Sequence, residues 1–257
     1  MDDKMNNKRG QVAIFVIVAI IIVILILLFF FLRGEKKPIS KKTIENDPRS
    51  FIDSCVKENV NEVVDKILPL GGFIKPWHSK LYNNLNITYL CYNIGNYHPC
   101  LNEHPMLMNE IKNEIKEYIE PRISQCFDLY KFEMEKRDVK VLLNPMKLDV
   151  DFGPSRIYID IERKVSIFNK DEKYGLDNFN IDIISPLYDM TRIAMEIASQ
   201  EAKYCYFEYV GYMILYPKFK IKVFPMSDST KIYTIIDKNS KKEMNIAIRS
   251  CAIPAGF

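Results

Sequence analysis

No familiar catalytic signature is spelled anywhere in this 257-residue chain. A glycine-rich phosphate loop, a nucleophile elbow, a His-Glu-x-x-His pair and a dinucleotide fingerprint are all missing. Asp151-Phe152-Gly153 spells a kinase tripeptide, yet no phosphate loop and no His-Arg-Asp loop accompany it. It reads instead as the end of a strand entering a turn. Charge of one sign is lacking too. The formal net charge is +3 with the basic residues scattered, which removes the electrostatic case for nucleic-acid binding. There is no internal repeat and no Cys-x-x-Cys spacing. An enzyme built on this chain would need a pocket assembled from residues distant in sequence, and no cofactor is implied.

One stretch lacks charge, proline and glycine altogether. Residues 11–32 form an unbroken apolar run from Gln11 to Leu32. At 1.5 Å of rise per residue, such a helix is about 33 Å long, enough to cross the hydrocarbon core of a bilayer. A cleaved secretory signal has a shorter apolar core and a small-residue cleavage site. Here Arg33-Gly34-Glu35-Lys36-Lys37 follows, with no Ala-x-Ala pattern. An interfacial helix would need a polar face, which this run does not have. The expectation is a single transmembrane helix over 11–32 with a short leader, 1–10, on one side.

Two signals bear on its orientation. Lys4, Lys8 and Arg9 precede the run, whereas Arg33, Lys36, Lys37, Lys41 and Lys42 follow it. Counted alone, the basic flanks favour a cytoplasmic C-terminal domain. The six cysteines point the other way, since an even number without metal-type spacing suits disulfides in an oxidising space. Long domains translocate largely regardless of charge. The N-terminus is therefore expected in the cytoplasm and the domain outside. Asn86-Ile87-Thr88 is a glycosylation sequon consistent with that side.

Lys8-Arg9-Gly10, followed directly by Gln11 and the apolar run, resembles the class III signal peptide of archaeal type IV pilin-like proteins. The resemblance implies cleavage between Gly10 and Gln11 on the cytoplasmic side, leaving the apolar helix on the mature chain. It covers residues 8 to about 32. Many pilins carry a glutamate early in the mature helix, whereas the fifth mature residue here would be Phe15. The chain also looks like an uncharacterised family of membrane-anchored surface proteins from small-genome archaea. That likeness is carried by the Lys8-Arg9-Gly10-Gln11 junction, the Leu70-Gly71-Gly72-Phe73-Ile74 segment and the closing Ile248-Arg249-Ser250. It implies an archaeal surface origin and says nothing on mechanism.

Residues 33–46, rich in lysine and polar side chains, read as a solvated juxtamembrane linker. The remainder is long enough for an ample core, and its pattern is α+β. Over 47–137 it is mainly helical. Phe51, Cys55, Val56, Val60, Val63, Val64 and Ile67 share one helical face behind the Asp47-Pro48 start signal. A loop with Trp77-His78 follows, then a second helix from about Pro105 to Gln125, kinked or shortened by Pro121. Over 138–257 the period changes to two. Leu148, Val150 and Phe152, then Ile157, Ile159 and Ile161, then Val165 and Ile167 alternate with polar residues, with a turn at Gly153-Pro154. Ser185-Pro186 opens a third helix. Strands return at 219–224, 231–236 and 244–248, and short connections favour antiparallel pairing.

Placement along these elements suggests the pairs Cys55–Cys126, Cys91–Cys100 and Cys205–Cys251, among fifteen possible connectivities. Cys91, His98, Cys100 and His104 also make the ligand set of a structural zinc site, with a spacing unlike the familiar fingers; a disulfide is the favoured reading of the two thiols. Asp149, Asp151, Asp160 and Glu162 alternate with apolar residues and form a solvated strand face rather than a catalytic pair. The aromatic stretch Tyr204, Tyr206, Phe207, Tyr209, Tyr212 and Tyr216 suits core packing before a carbohydrate- or partner-binding surface. No catalytic residue is singled out. The expected function is a cell-surface protein anchored in the lipid bilayer, with a structural role or a protein or glycan partner. The alternative is a pilus-like filament subunit whose apolar helices contact those of identical subunits.

Overall fold

The computed structural model describes residues 17–24, 47–95, 97–169 and 172–251. The chain divides into two units, Met1–Ile44 and Glu45–Phe257. In the first, residues 17–24 are helical with every side chain exposed. The Gly10–Gln11 junction, the 33–46 linker and the rest of the apolar run lie outside the described residues. Among those described, no helix is long and apolar enough to cross a membrane.

The second unit is α+β, and its elements are numbered within it. Helix α1, Pro48–Ile67, starts where Asp47 accepts a hydrogen bond from the Arg49 backbone N–H at 3.0 Å with proline in the first turn. Its inward stripe is Ile52, Val56, Val60, Val63, Val64 and Ile67. A 3₁₀ turn, Leu68–Leu70, ends on Gly71 and Gly72 at φ 86° and 106°. Both glycines are required. A Cβ on Gly72 would sit 2.6 Å from Ile111 Cδ1, and one on Gly71 would sit 3.0 Å from the Asn245 carbonyl oxygen.

Strands then appear where a loop was expected. β1 is Ser79–Tyr82, β2 is Leu85–Tyr92 and β3 is Leu101–Asn102. Asn83 and Asn84, at φ 49° and 62°, make the tight β1–β2 turn that two asparagines favour. Helix α2, Leu107–Glu135, is longer than expected and runs through Pro121. Proline in a helix interior costs about 3 kcal/mol, but Pro121 faces solvent, where water can reach the freed carbonyl. Beyond it the helix buries Ile123, Phe127, Tyr130 and Met134, each contributing about 1.5–3 kcal/mol. Burial outweighs the proline.

β4, Lys140–Leu143, β5, Lys147–Gly153, β6, Arg156–Asn169, and β7, Glu172–Ile184, form one antiparallel sheet with β6 at its centre. β5 and β4 pair successive parts of β6 on one side and β7 lines the other, with an irregularity between Glu162 and Val165. Phe179, Ile181 and Ile183 of β7 point inward and Asn178, Asn180 and Asp182 outward. Helix α3, Leu187–Tyr204, begins one residue later than expected: Pro186 takes the N-cap position in place of Ser185, whose Oγ accepts from the Leu187 N–H at 3.3 Å. A short helix α4, Tyr209–Leu215, leads to β8, Phe219–Pro225, β9, Thr230–Asp237, and β10, Glu243–Arg249.

The second sheet has the order β1-β2-β10-β9-β8, with β3 on β2. Its pairs are antiparallel except for β2 and β10, which run parallel with Tyr89 opposite Ala247. Strands from 47–137 and from 138–257 thus share one sheet. The two stretches interleave instead of forming separate subdomains, because β2 buries both faces only between its neighbours and the helices. One continuous core includes α1, α2, α3 and the inner faces of both sheets.

Candidate functional site

All six cysteines are paired as their placement suggested: Cys55–Cys126, Cys91–Cys100 and Cys205–Cys251, with Cα separations of 6.1, 5.4 and 5.5 Å. The first ties α1 to α2, the second closes the loop between β2 and β3, and the third ties the end of α3 to the residues after β10. The zinc alternative is thereby corrected. Cys91 and Cys100 have no thiolate to offer once bridged, His98 faces solvent, and His104 is buried against Glu110. Among the described residues no cluster of three or more metal-ligating side chains occurs.

The carboxylates lie on the outer face of β5 and β6, as expected. Asp149 stands directly opposite Asp160 and Lys147 opposite Glu162. Cations offset the charge: Lys112 pairs with Asp151, Lys116 lies 3.8 Å from Asp149 and Lys147 3.6 Å from Glu162. The hydrogen bond from Lys112, helped by the Phe152 N–H, holds Asp151 below the usual carboxylate range. Asp151 is therefore no proton donor near neutrality.

Two polar clusters resemble catalytic sets and are better explained as clamps. Ser155 Oγ lies 2.9 Å from Asp189 and 3.1 Å from Lys218 Nζ, and Lys218 lies 3.2 Å from Asp189. An ammonium donating to the hydroxyl oxygen cannot also take its proton, so the trio pins the β5–β6 turn to α3 and β8. Deeper in, Glu201 of α3 is fully buried. It accepts from Lys231 Nζ at 2.8 and 2.9 Å and from the Tyr233 hydroxyl, while Lys231 also donates to the Cys205 carbonyl at 2.8 Å. Burial first, then the Glu201 charge, pushes the Tyr233 hydroxyl far up. This network ties α3 to β9.

The most distinctive surface surrounds the Cys91–Cys100 loop. His78 Nδ1 lies 2.9 Å from Glu103 Oε2, and since a carboxylate only accepts, Nδ1 carries the proton. Tyr89 and Tyr92 flank the imidazole at centroid distances of 4.8 and 4.4 Å, with Trp77 at 5.4 Å. Arg249 covers Tyr92 at 5.4 Å. Beneath lies a second pair, His104 Nδ1 to Glu110 Oε2 at 2.5 Å, stacked on Phe73 at 4.8 Å. Among the described residues neither ring has a nucleophilic hydroxyl or thiol as hydrogen-bond partner. These pairs hold a scaffold. What the scaffold displays is apolar: Trp77, Ile94, Tyr97 and Leu101 are 74–82% exposed. Ile94 and Tyr97 stand inside the disulfide-closed loop, with Trp77 ahead of β1 and Leu101 in β3. Sequence reasoning passed over these side chains because Trp77-His78 looked like an ordinary surface pair and the loop has no motif.

The sequon falls on the β1–β2 hairpin. Asn86 is exposed, but Thr88 is buried and its hydroxyl donates to the Leu70 carbonyl at 2.6 Å. The tyrosine stretch departs from expectation. Phe207 is buried and Tyr209 and Tyr212 are half-buried, whereas Tyr204, Tyr206 and Tyr216 face solvent.

No protein-family model, no curated protein and no solved structure matches this chain.

Proposed function

We propose that this chain is a single-pass, membrane-anchored cell-surface protein. Residues 11–32 hold it in the bilayer, residues 1–10 lie in the cytoplasm, and the α+β domain beyond the 33–46 linker lies outside. Its role is structural or partner-binding, and the surface formed by Trp77, Ile94, Tyr97 and Leu101 is its contact site. The observation that carries this reading is the pairing of every cysteine in three disulfides. Such bonds persist in oxidising spaces and are rare in cytosol. The charge-free run of spanning length supports the anchor.

The Lys8-Arg9-Gly10-Gln11 junction favours a second reading, a pilus-like filament subunit whose leader is removed after Gly10. One experiment separates the two. The N-terminus of the chain is determined by mass spectrometry from purified membranes. A chain beginning at Gln11 establishes prepilin-type processing and makes sheared filaments the next object to examine. A chain retaining Met1 or Asp2 leaves a plain anchor. Protease added to intact cells tests the topology: the domain is expected to be digested from outside, and digestion only after lysis overturns the orientation.

A further inference from the structure

Helix α4 sits on the edge strand β8, where Met213 Sδ accepts the otherwise unpaired Ile221 N–H at 3.1 Å. The helix covers a strand edge, as edge strands require, yet it buries none of its own residues. Val210 and Ile214, four apart and on one face, are 50% and 75% exposed, and Leu215 is 75% exposed. Tyr206 and Tyr216 border them, with Tyr216 stacked on Tyr212 at 4.6 Å. β8 adds Lys220 and Lys222, which face solvent and have no carboxylate partner among the described residues.

We propose that this α4 face, with Lys220 and Lys222 beside it, docks onto the anionic lipid surface of the bilayer. The proposal rests on the anchored reading above. Three arguments favour lipid over other occupants. Branched aliphatics ringed by tyrosines match the apolar–polar gradient of a membrane interface, where aromatic rings settle at headgroup level. Val210, Ile214 and Leu215 have neither a stacking face nor a hydrogen-bonding group for a sugar. A second copy of the chain docking through a two-fold axis would bring the same lysines together, whereas an anionic surface attracts them. Reach is no obstacle. Residues 33–46 extend at most about 50 Å, and a sphere with the radius of gyration of a domain this size is about 44 Å across. Edge lysines also discourage strand pairing; the same charges serve both ends.

The test uses the full chain carrying Trp77→Phe and Ile214→Trp, reconstituted into vesicles of phosphatidylcholine doped with phosphatidylglycerol. Acyl chains brominated near the headgroup quench any indole that reaches them. A matching chain with Trp77→Phe and Phe132→Trp, on α2, is the control. Flotation with the vesicles reads the anchor independently of docking. The expected result is flotation, with quenching at position 214 well above that at 132. Lys220→Glu with Lys222→Glu, or pure phosphatidylcholine, is expected to lower it. Loss of each lysine reduces the docked-to-free ratio by about fivefold. Positions 214, 220 and 222 are exposed, so these variants retain the fold, which an intact disulfide map verifies. Flotation with equal quenching at both positions overturns the docking and leaves the anchor. Slowed hydrogen exchange over 204–216 without bromolipid quenching means that protein covers the face, and also overturns it. Failure to float removes the anchor and the proposal with it.

Discussion

Replacing Glu201 by alanine leaves the Lys231 ammonium without its counter-charge and the Tyr233 hydroxyl without its acceptor. In the native fold the carboxylate is fully buried and takes two bonds from Lys231, at 2.8 and 2.9 Å, and a third from Tyr233. Breaking one side of a fully buried pair costs about 3–5 kcal/mol; Lys231 is 22% exposed and keeps its bond to the Cys205 carbonyl, so the loss expected here is about 2–3 kcal/mol. Glu201→Gln keeps the shape and one acceptor oxygen but still removes the counter-charge of the Lys231 ammonium, so its cost is expected close to that of alanine, about 2–3 kcal/mol. Removing the whole network is the discriminating case. The triple variant Glu201→Met, Lys231→Met, Tyr233→Phe deletes charge, counter-charge and hydroxyl together, and is expected within about 1–2 kcal/mol of the native chain. Urea unfolding of the detergent-solubilised, oxidised protein, followed by circular dichroism, measures all three. If Glu201→Ala costs under about 1 kcal/mol, or the triple variant costs as much as the single, the buried-charge argument is wrong.

Three further outcomes follow from the same geometry. Removing Cys55–Cys126, which closes 71 residues, is expected to cost about 4 kcal/mol and removing Cys91–Cys100, which closes nine, about 2.5 kcal/mol by loop entropy; equal losses in serine double variants would count against that origin. Gly72→Ala must shift Ile111 and hold alanine at φ 106°, and is expected to destabilise by about 2–4 kcal/mol, so an unchanged urea midpoint would refute the packing described. Acidification tests Asp151. A carboxyl whose folded-state pKa is lowered adds stability above its unfolded value, about 3.9, and loses it as the pH falls through the folded value. Between pH 5 and pH 2 the urea midpoint of Asp151→Asn is thus expected to fall less than that of the native chain, and parallel curves would remove Lys112 as the cause.

Much of the α+β pattern was legible because amphipathic periodicity survives wherever one face meets solvent. α1, α3 and the strands β5, β6 and β8 bury mainly one face and show it. β9 and β10, though buried on both faces at Ile232-Tyr233 and Ile246-Ala247-Ile248, keep enough alternation at their ends. β2 did not, for the opposite reason. Ile87 through Cys91 is buried on both sides, so no alternation marks it. β7 was overlooked although Phe179, Ile181 and Ile183 do alternate, because asparagines and aspartate between them imitate a loop. Pro121 misled by its local cost, which says nothing of the apolar stripe continuing on the far side of the helix. The exposed apolar side chains Trp77, Ile94, Tyr97 and Leu101 were the least legible part. Trp77 precedes β1, Ile94 and Tyr97 lie in the disulfide-closed loop, and Leu101 opens β3, so no single stretch of sequence marks them.

The parallel pairing of β2 with β10 has a consequence for how the protein is made. Tyr89 meets its partner Ala247 only after roughly 160 further residues have been synthesised. At 5–20 residues per second, β2 waits about 10–30 s with an apolar edge unpaired. Until then β2 has only its hairpin partner β1 and the short β3 to pair with. Thr88, buried in the finished fold, stays accessible to solvent during that interval. Completion falls to the last strand, and the Cys205–Cys251 bond a few residues later locks what that strand has closed.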